Sequence, residues 1–152
     1  TTNGDNGEYP SPVKRYHGVR VYLNRGENQF DEAYFYPMHG AFQSLARDFD
    51  QDGDVDIAAT SFFPDYKNSL KESFVYLENL GGLVFSPATF RQSLAGRWLR
   101  MDAGDIDQDG DLDILLGSYI HGPSEVPDGL MRAWEAKGPS VLVLRNQLKK
   151  AE

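Results

Sequence analysis

Short apolar runs rich in Val, Ile, Phe and Tyr recur along the chain, and Gly, Asn and Asp interrupt them. Runs of this length, bounded by turn formers, predict β-strands. In the middle of the chain four of them follow one another, at roughly 42–47, 55–61, 73–78 and 83–90. Stretches such as Val75-Tyr76-Leu77 and Ile114–Gly117 are apolar at consecutive positions, so both faces of those strands should be covered.

The pattern repeats. DFDQDGDVDI at 48–57 matches DIDQDGDLDI at 105–114 with an offset of 57 residues, and each copy leads into a short apolar run. A second motif runs out of phase with the first. GVRVYLNRGENQF (18–30) matches SFVYLENLGGLVF (73–85), with Asn24 on Asn79, Gly26 on Gly81 and Phe30 on Phe85. A degenerate third copy, PSVLVLRNQ at 139–147, keeps Val141, Val143 and Asn146 and lacks the glycine and the phenylalanine. Asn-x-Gly between two strand-like runs reads as a hairpin connection. Repeated four-stranded units packed face to face predict propeller blades.

The expected architecture is all-β: a partial β-propeller of four-stranded antiparallel blades, about two to three of them, with one short helix in an insertion. Residues 1–41 would be the second half of a first blade, 42–90 a complete middle blade, and 91–152 a third, incomplete blade. The first 17 residues read as loop. Residues 62–72 read as a mostly polar, exposed insertion. A longer insertion at 121–139 contains PDGLMRAWEAKG, a helix pattern with Pro127 near its start and Gly138 after its end. Leu130, Met131 and Trp134 would be its buried face. About nine strands are too few to close a propeller, which needs about four blades. An open arc, a piece of a longer chain or an assembly of copies would each account for that. Opening on Thr1 rather than Met fits a processed product or a piece of a longer chain.

Composition changes the picture through charge. The net charge is −8, which argues against nucleic acid and anionic membrane surfaces as partners. No apolar run is long enough for a transmembrane helix, and no segment has the layout of a signal peptide. There is no cysteine, so disulfides, thiolate zinc sites and cysteine nucleophiles are excluded. The acidity is concentrated. Asp48, Asp50, Asp52, Asp54 and Asp56 form one alternating run; Asp105, Asp107, Asp109, Asp111 and Asp113 form the other. Without these ten residues, 13 acids would face 15 bases, and neither run contains a Lys or Arg.

Five carboxylates in nine residues repel one another unless a cation joins them. Each run has aspartate at positions 1, 3, 5, 7 and 9 and glycine at position 6, Gly53 or Gly110. A hard cation such as calcium takes six to eight oxygens. Alternating carboxylates on a tightly curled loop can converge on it, and glycine permits the sharp turn. Side chains at positions 1, 3, 5 and 9, a backbone carbonyl at 7 and a water would make the cage. An EF-hand shares D-x-D-x-D-G but needs a bidentate Glu at position 12, where this chain has Ala59 and Leu116. Its loop also lies between helices, whereas these loops lie between strands.

The D-x-D-x-D-G-D-x-D pattern followed by an apolar strand resembles the FG-GAP and VCBS-type repeats of bacterial extracellular proteins. It is also similar to the calcium loops of integrin α-subunit propellers. The Asn-x-Gly hairpin resembles the second half of such repeats; the phenylalanine-glycine dipeptide that names the family is absent. The resemblance implies two Ca2+ ions, in loops 48–56 and 105–113. It makes Asp48, Asp50, Asp52, Asp56, Asp105, Asp107, Asp109 and Asp113 side-chain ligands, and Asp54 and Asp111 carbonyl ligands with side chains free to face solvent. Asp102, just outside the second run, would serve a turn or support a ligand.

No nucleophile elbow, zinc-protease motif or phosphate-binding glycine loop is present, and His17, His39 and His121 stand alone in sequence. A non-enzymatic module is therefore expected, secreted or on a bacterial cell surface, where calcium is abundant. It would serve adhesion, ligand binding or assembly, with a protein or glycan ligand or a homo-oligomer or filament through open sheet edges. The alternative is part of a calcium-dependent propeller hydrolase or lyase acting on polysaccharide. The aromatic residues Phe62, Phe63, Tyr66, Trp98, Tyr119 and Trp134 are expected to pack between blades, or else to form a sugar-binding surface.

Overall fold

The computed structural model describes residues 1–5, 12–122 and 124–148. Its strands in chain order are β1 (Thr2–Asn3), β2 (Gly18–Gly26), β3 (Gln29–Pro37), β4 (Ala41–Arg47), β5 (Asp56–Ser61), β6 (Phe74–Asn79), β7 (Phe85–Ala88), β8 (Trp98–Gly104), β9 (Asp113–Ser118) and β10 (Val141–Leu144). One helix, α1 (Asp128–Lys137), lies between β9 and β10. The strands form three antiparallel sheets, ordered β1-β2-β3, β4-β5-β6-β7 and β10-β9-β8. Among the described residues the sheets do not close on themselves, so the architecture is a partial, propeller-like all-β fold.

The middle sheet lies between the other two, and the alternation of its side chains explains why. Successive strand residues point to opposite faces. Ile57, Ala59, Val75 and Leu77 join Val19, Met38 and Ala41 in one buried cluster. Ala58 and Phe74 join Phe49, Trp98, Met101, Ile114 and Leu116 in the other. Runs that are apolar at every position thus serve two interfaces at once. The whole of β5 is buried, and its small Ala58 and Ala59 let the flanking sheets approach closely.

The repeat extends to backbone detail. Equivalent register shifts occur between Ala41 and Gln43 in β4 and between Trp98 and Arg100 in β8. The inner strands of neighbouring sheets are joined by a side chain that imitates backbone pairing. The Gln43 side-chain amide donates to Met101 O (2.7 Å) and accepts from Met101 N–H (2.9 Å). In the hairpins, the asparagine of Asn-x-Gly accepts from the glycine N–H, Asn24 from Gly26 (2.8 Å) and Asn79 from Gly81 (3.2 Å). Both glycines have positive φ, 89° and 95°, which favours glycine.

Several expectations need correction. The leading segment is not all loop, since β1 pairs with β2; positions 6–11 of it lie outside the described residues. Thr2 Oγ1 donates to Phe42 O (2.9 Å), so this segment ties the first sheet to the middle one. The insertion at 62–72 is not simply polar and exposed. Phe63 is buried edge-on against His17 and His39, and Pro64 is buried too. Arg97, also buried, donates from Nε to Phe62 O (2.6 Å) and from Nη2 to Ser124 Oγ (2.8 Å), binding the two insertions together. The helix forms where expected, but only Trp134 is buried on it. Leu130 and Met131 are half-buried, because the helix docks through one indole whose Nε1–H donates to Leu94 O (2.8 Å).

Leu77 is fully buried between the first and middle sheets. Leu77→Ala should cost about 2–5 kcal/mol, the range for a buried leucine leaving a cavity. Urea denaturation followed by tryptophan fluorescence checks it; a loss below about 1 kcal/mol would contradict such tight packing between sheets.

Candidate metal centres

Each acidic run forms the connection between an inner strand and the next strand of its sheet, β4 to β5 and β8 to β9. The two loops fold alike. Gln51 and Gln108 at position 4 have φ of 61° and 63°, and Gly53 and Gly110 at position 6 have φ of 99° and 97°. Two left-handed residues in each loop curl it tightly enough to bring alternate side chains to one side. A non-glycine residue in that region costs about 1–2 kcal/mol, so the recurrent glutamines mark a backbone under compulsion.

Carboxylate oxygens of Asp48, Asp50 and Asp56 lie within 4.8 Å of one another in the first loop, and those of Asp105, Asp107 and Asp109 do so in the second. These are positions 1, 3 and 9 in one loop and 1, 3 and 5 in the other. Asp52 does not join its group; its Oδ1 accepts from Asp54 N–H (2.8 Å). Asp113 does not join its group either. It is fully buried, and it accepts from Ile106 N–H (3.1 Å) and Asn146 N–H (2.9 Å). Asp54 is half-buried. The side chain of Asp111 does not face solvent: it is buried, and Oδ2 accepts from Leu148 N–H (3.1 Å). Asp102 is exposed and accepts from Ala103 N–H (2.9 Å), a local turn contact.

Position 9 is where loop and hairpin meet. Asp56 Oδ2 accepts from Phe49 N–H (3.1 Å) and the Tyr76 hydroxyl (2.7 Å), and Oδ1 accepts from Asn79 N–H (2.8 Å). Hydrogen bonds to a charged acceptor each contribute about 1.5–3 kcal/mol. The Tyr76 hydroxyl is pushed far above its ordinary pKa, by burial first and by Asp56 second, so it stays a proton donor. Tyr76, Asn79 and Asn146 were not singled out as site residues from sequence. The asparagines carried a signal, since Asn146 survives in the third hairpin copy where the glycine does not. The loops also touch: Gln51 Nε2 donates to Gly110 O (2.9 Å), and Asn146 Nδ2 donates to Phe49 O (2.7 Å).

The crowding has an electrostatic cost. Asp50 is held above the ordinary carboxylate range by burial, with Asp56 and Asp52 adding repulsion. Asp107, though exposed, is raised by partial desolvation first and then by the charges of Asp109 and Asp113, against the opposing pull of Arg145. Buried acceptors normally find partners, yet Asp48 Oδ1 and Asp111 Oδ1 are buried with none. The Asp48 oxygen, on a carboxylate that converges with two others, suits a hard cation and no hydrogen-bond donor of the chain; Asp111 lies outside the converging group of its loop. The residues therefore fit a calcium ion.

The histidines are not all solitary. His17 is buried, with Nε2 2.9 Å from Asp5 Oδ1 and Nδ1 3.1 Å from His39 Nδ1. Gly40 N–H donates to His17 Nδ1 (3.2 Å), so His39 supplies the proton between the rings. Burial, then His17, lowers the His39 pKa. Hydrogen bonds from His17 and Lys14 hold Asp5 at about 2. This cluster fastens the start of β2 to the turn before β4, a packing role.

Residues 48–116 match the model of the FG-GAP-like repeat. The match spans both acidic loops and the strands between them, so this part of the chain is similar to an FG-GAP-like repeat, which supports a β-propeller-type repeat architecture. Neither the curated proteins nor the solved structures yield a match. No helix among the described residues is long and apolar enough to cross a membrane.

The raised Asp50 and Asp107 give a pH prediction. A folded-state pKa above the unfolded one contributes stability that is present below the ordinary aspartate value near 3.9 and lost as pH rises through the raised value. In calcium-free buffer, the variant Asp50→Asn/Asp107→Asn should therefore gain on the parent as pH rises from about 4. Denaturant midpoints measured across pH check this. A variant that falls behind the parent over that range would show that the carboxylates are not in conflict.

Proposed function

We propose that the chain is a calcium-binding repeat module whose two ions are structural, one in loop 48–56 and one in loop 105–113. The single observation that carries this reading is the buried, unpartnered Oδ1 of Asp48 on a carboxylate grouped with Asp50 and Asp56. Asp48, Asp50, Asp56, Asp105, Asp107 and Asp109 supply the nearest oxygens. Asp52 and Asp113 complete the sets if their side chains turn toward the ion, and Asp54 and Asp111 offer backbone carbonyls. A bound ion cancels the repulsion within each loop and clamps the inner strand to its neighbour. Such sites suit an extracellular setting, where calcium near millimolar fills even weak loops. There the module serves adhesion, ligand binding or assembly without catalysing a reaction.

Binding to the folded state alone stabilises by RT ln(1 + [L]/Kd), about 2.7 kcal/mol at a hundred-fold excess over Kd. Calcium should raise the melting temperature, and a chelator should lower it reversibly. Magnesium, which dehydrates reluctantly and demands a stricter octahedron, should do less. Identical melting curves with calcium and with EDTA would remove the proposal.

A second reading rests on one cleft. A cavity of about 430 Å3 between the middle and third sheets is lined by Phe49, Phe74, Tyr76 and Phe90, with Asp50 and Glu78 at its wall. Aromatic faces beside two carboxylates would suit a saccharide, as in a polysaccharide hydrolase or lyase. A glycan array and a reducing-end assay separate the readings: turnover favours the enzyme, and binding without turnover favours the module.

A further inference from the structure

The two loops are near copies in sequence, but their surroundings are not. Register defines which residues correspond. Ile57 pairs with Leu77, and its repeat partner Ile114 pairs with Leu144. Tyr76 is therefore the counterpart of Val143, Glu78 of Arg145 and Asn79 of Asn146. The asparagine at the end of each third strand or just beyond it, Asn79 or Asn146, docks on its loop through its backbone N–H, so the residues beside it fall next to the candidate ion site.

At the first loop burial, charge and one free oxygen favour a cation, although both oxygens of Asp56 are engaged by hydrogen bonds. The converging carboxylates are half-buried or buried, which weakens screening by solvent. Asp48 keeps one oxygen buried and unpartnered, while its Oδ2 accepts from Gly53 N–H (3.1 Å). Tyr76 anchors Asp56, and the residue in the Arg145 position is an acid, Glu78.

At the second loop these features are missing or reversed among the three converging carboxylates, and the buried, unpartnered oxygen there, Asp111 Oδ1, lies outside that group. All three converging carboxylates are exposed. Both oxygens of Asp105 are already engaged, Oδ1 by Asp109 N–H (3.1 Å) and Oδ2 by Gly110 N–H (3.2 Å). Val143 has no hydroxyl to offer Asp113. Arg145 Nη1 lies 3.5 Å from Asp107 Oδ2, a positive charge already on one of the three carboxylates.

We propose that the loops are unequal cation sites, the first binding calcium more tightly, and that Arg145 weakens the second by competing with the ion for Asp107. The inference rests on the calcium reading above and adds an order of filling to it. At limiting calcium the middle sheet is clamped first, and the third sheet follows at higher concentration. Arg145 is the residue that sets the interval between the two.

Calorimetric titration of the chelator-stripped chain with calcium chloride tests this. The parent should show two classes of site. Asp50→Asn should abolish the tighter class and Asp107→Asn the weaker. Arg145→Glu, at a position largely exposed, should tighten the weaker class by about ten-fold, the order expected for a two-unit charge change beside a divalent ion in salt. It should leave the tighter class unchanged, and Arg145→Gln should give a smaller gain. Far-UV circular dichroism of each variant checks that it is folded. Two indistinguishable sites, a tighter site lost with Asp107→Asn, or no response to Arg145→Glu would overturn the inference while leaving the calcium reading intact. No binding at any concentration would overturn the calcium reading and the inference together.

Discussion

Like charges crowded on a short curled loop are the constraint around which the rest of the molecule is arranged. One glutamine and one glycine with positive φ curl each loop, and the groupings of three carboxylates follow from that curl. Repulsion at such spacing would open a free loop. The fold resists through position 9: Asp56 and Asp113 are buried and held by backbone N–H groups from their own loops and from the next hairpins. Loop and hairpin are thus fastened at one carboxylate, and a cation is proposed to relieve the remainder.

This fastening explains why the two repeat motifs run out of phase. The acidic loop precedes the second strand of a sheet, and the asparagine hairpin follows the third. The asparagine closes its own turn through its side chain, as Asn79 does for Gly81, and donates its backbone N–H to the loop. Contacts from Gln51 to Gly110 and from Asn146 to Phe49 then carry the connection from one sheet to the next. The apolar interfaces support the same stacking, since each face of the middle sheet has its own cluster.

Much of this was legible in the sequence because it is periodic. Strands, hairpin turns and the curl of the loops depend on local spacing, and a second copy makes spacing visible. What escaped depends on contacts between distant positions. Tyr76 meets Asp56 and Arg145 meets Asp107 only after the hairpins dock. His17 and His39, 22 residues apart, meet across the junction between the first two sheets. Phe63 read as part of a polar insertion because the surface that buries it comes from elsewhere in the chain. Asp111 shows the limit most clearly: in the alternating run it is indistinguishable from its neighbours, yet its side chain turns inward to meet Leu148 N–H.

The central claim is that divalent ions hold the aspartate groups together, and anomalous diffraction from crystals grown in calcium tests it most directly. The account predicts an anomalous peak within about 2.3–2.6 Å of oxygens from Asp48, Asp50 and Asp56, and a second among Asp105, Asp107 and Asp109. Ordered water alone at both positions, with calcium in excess, would contradict it.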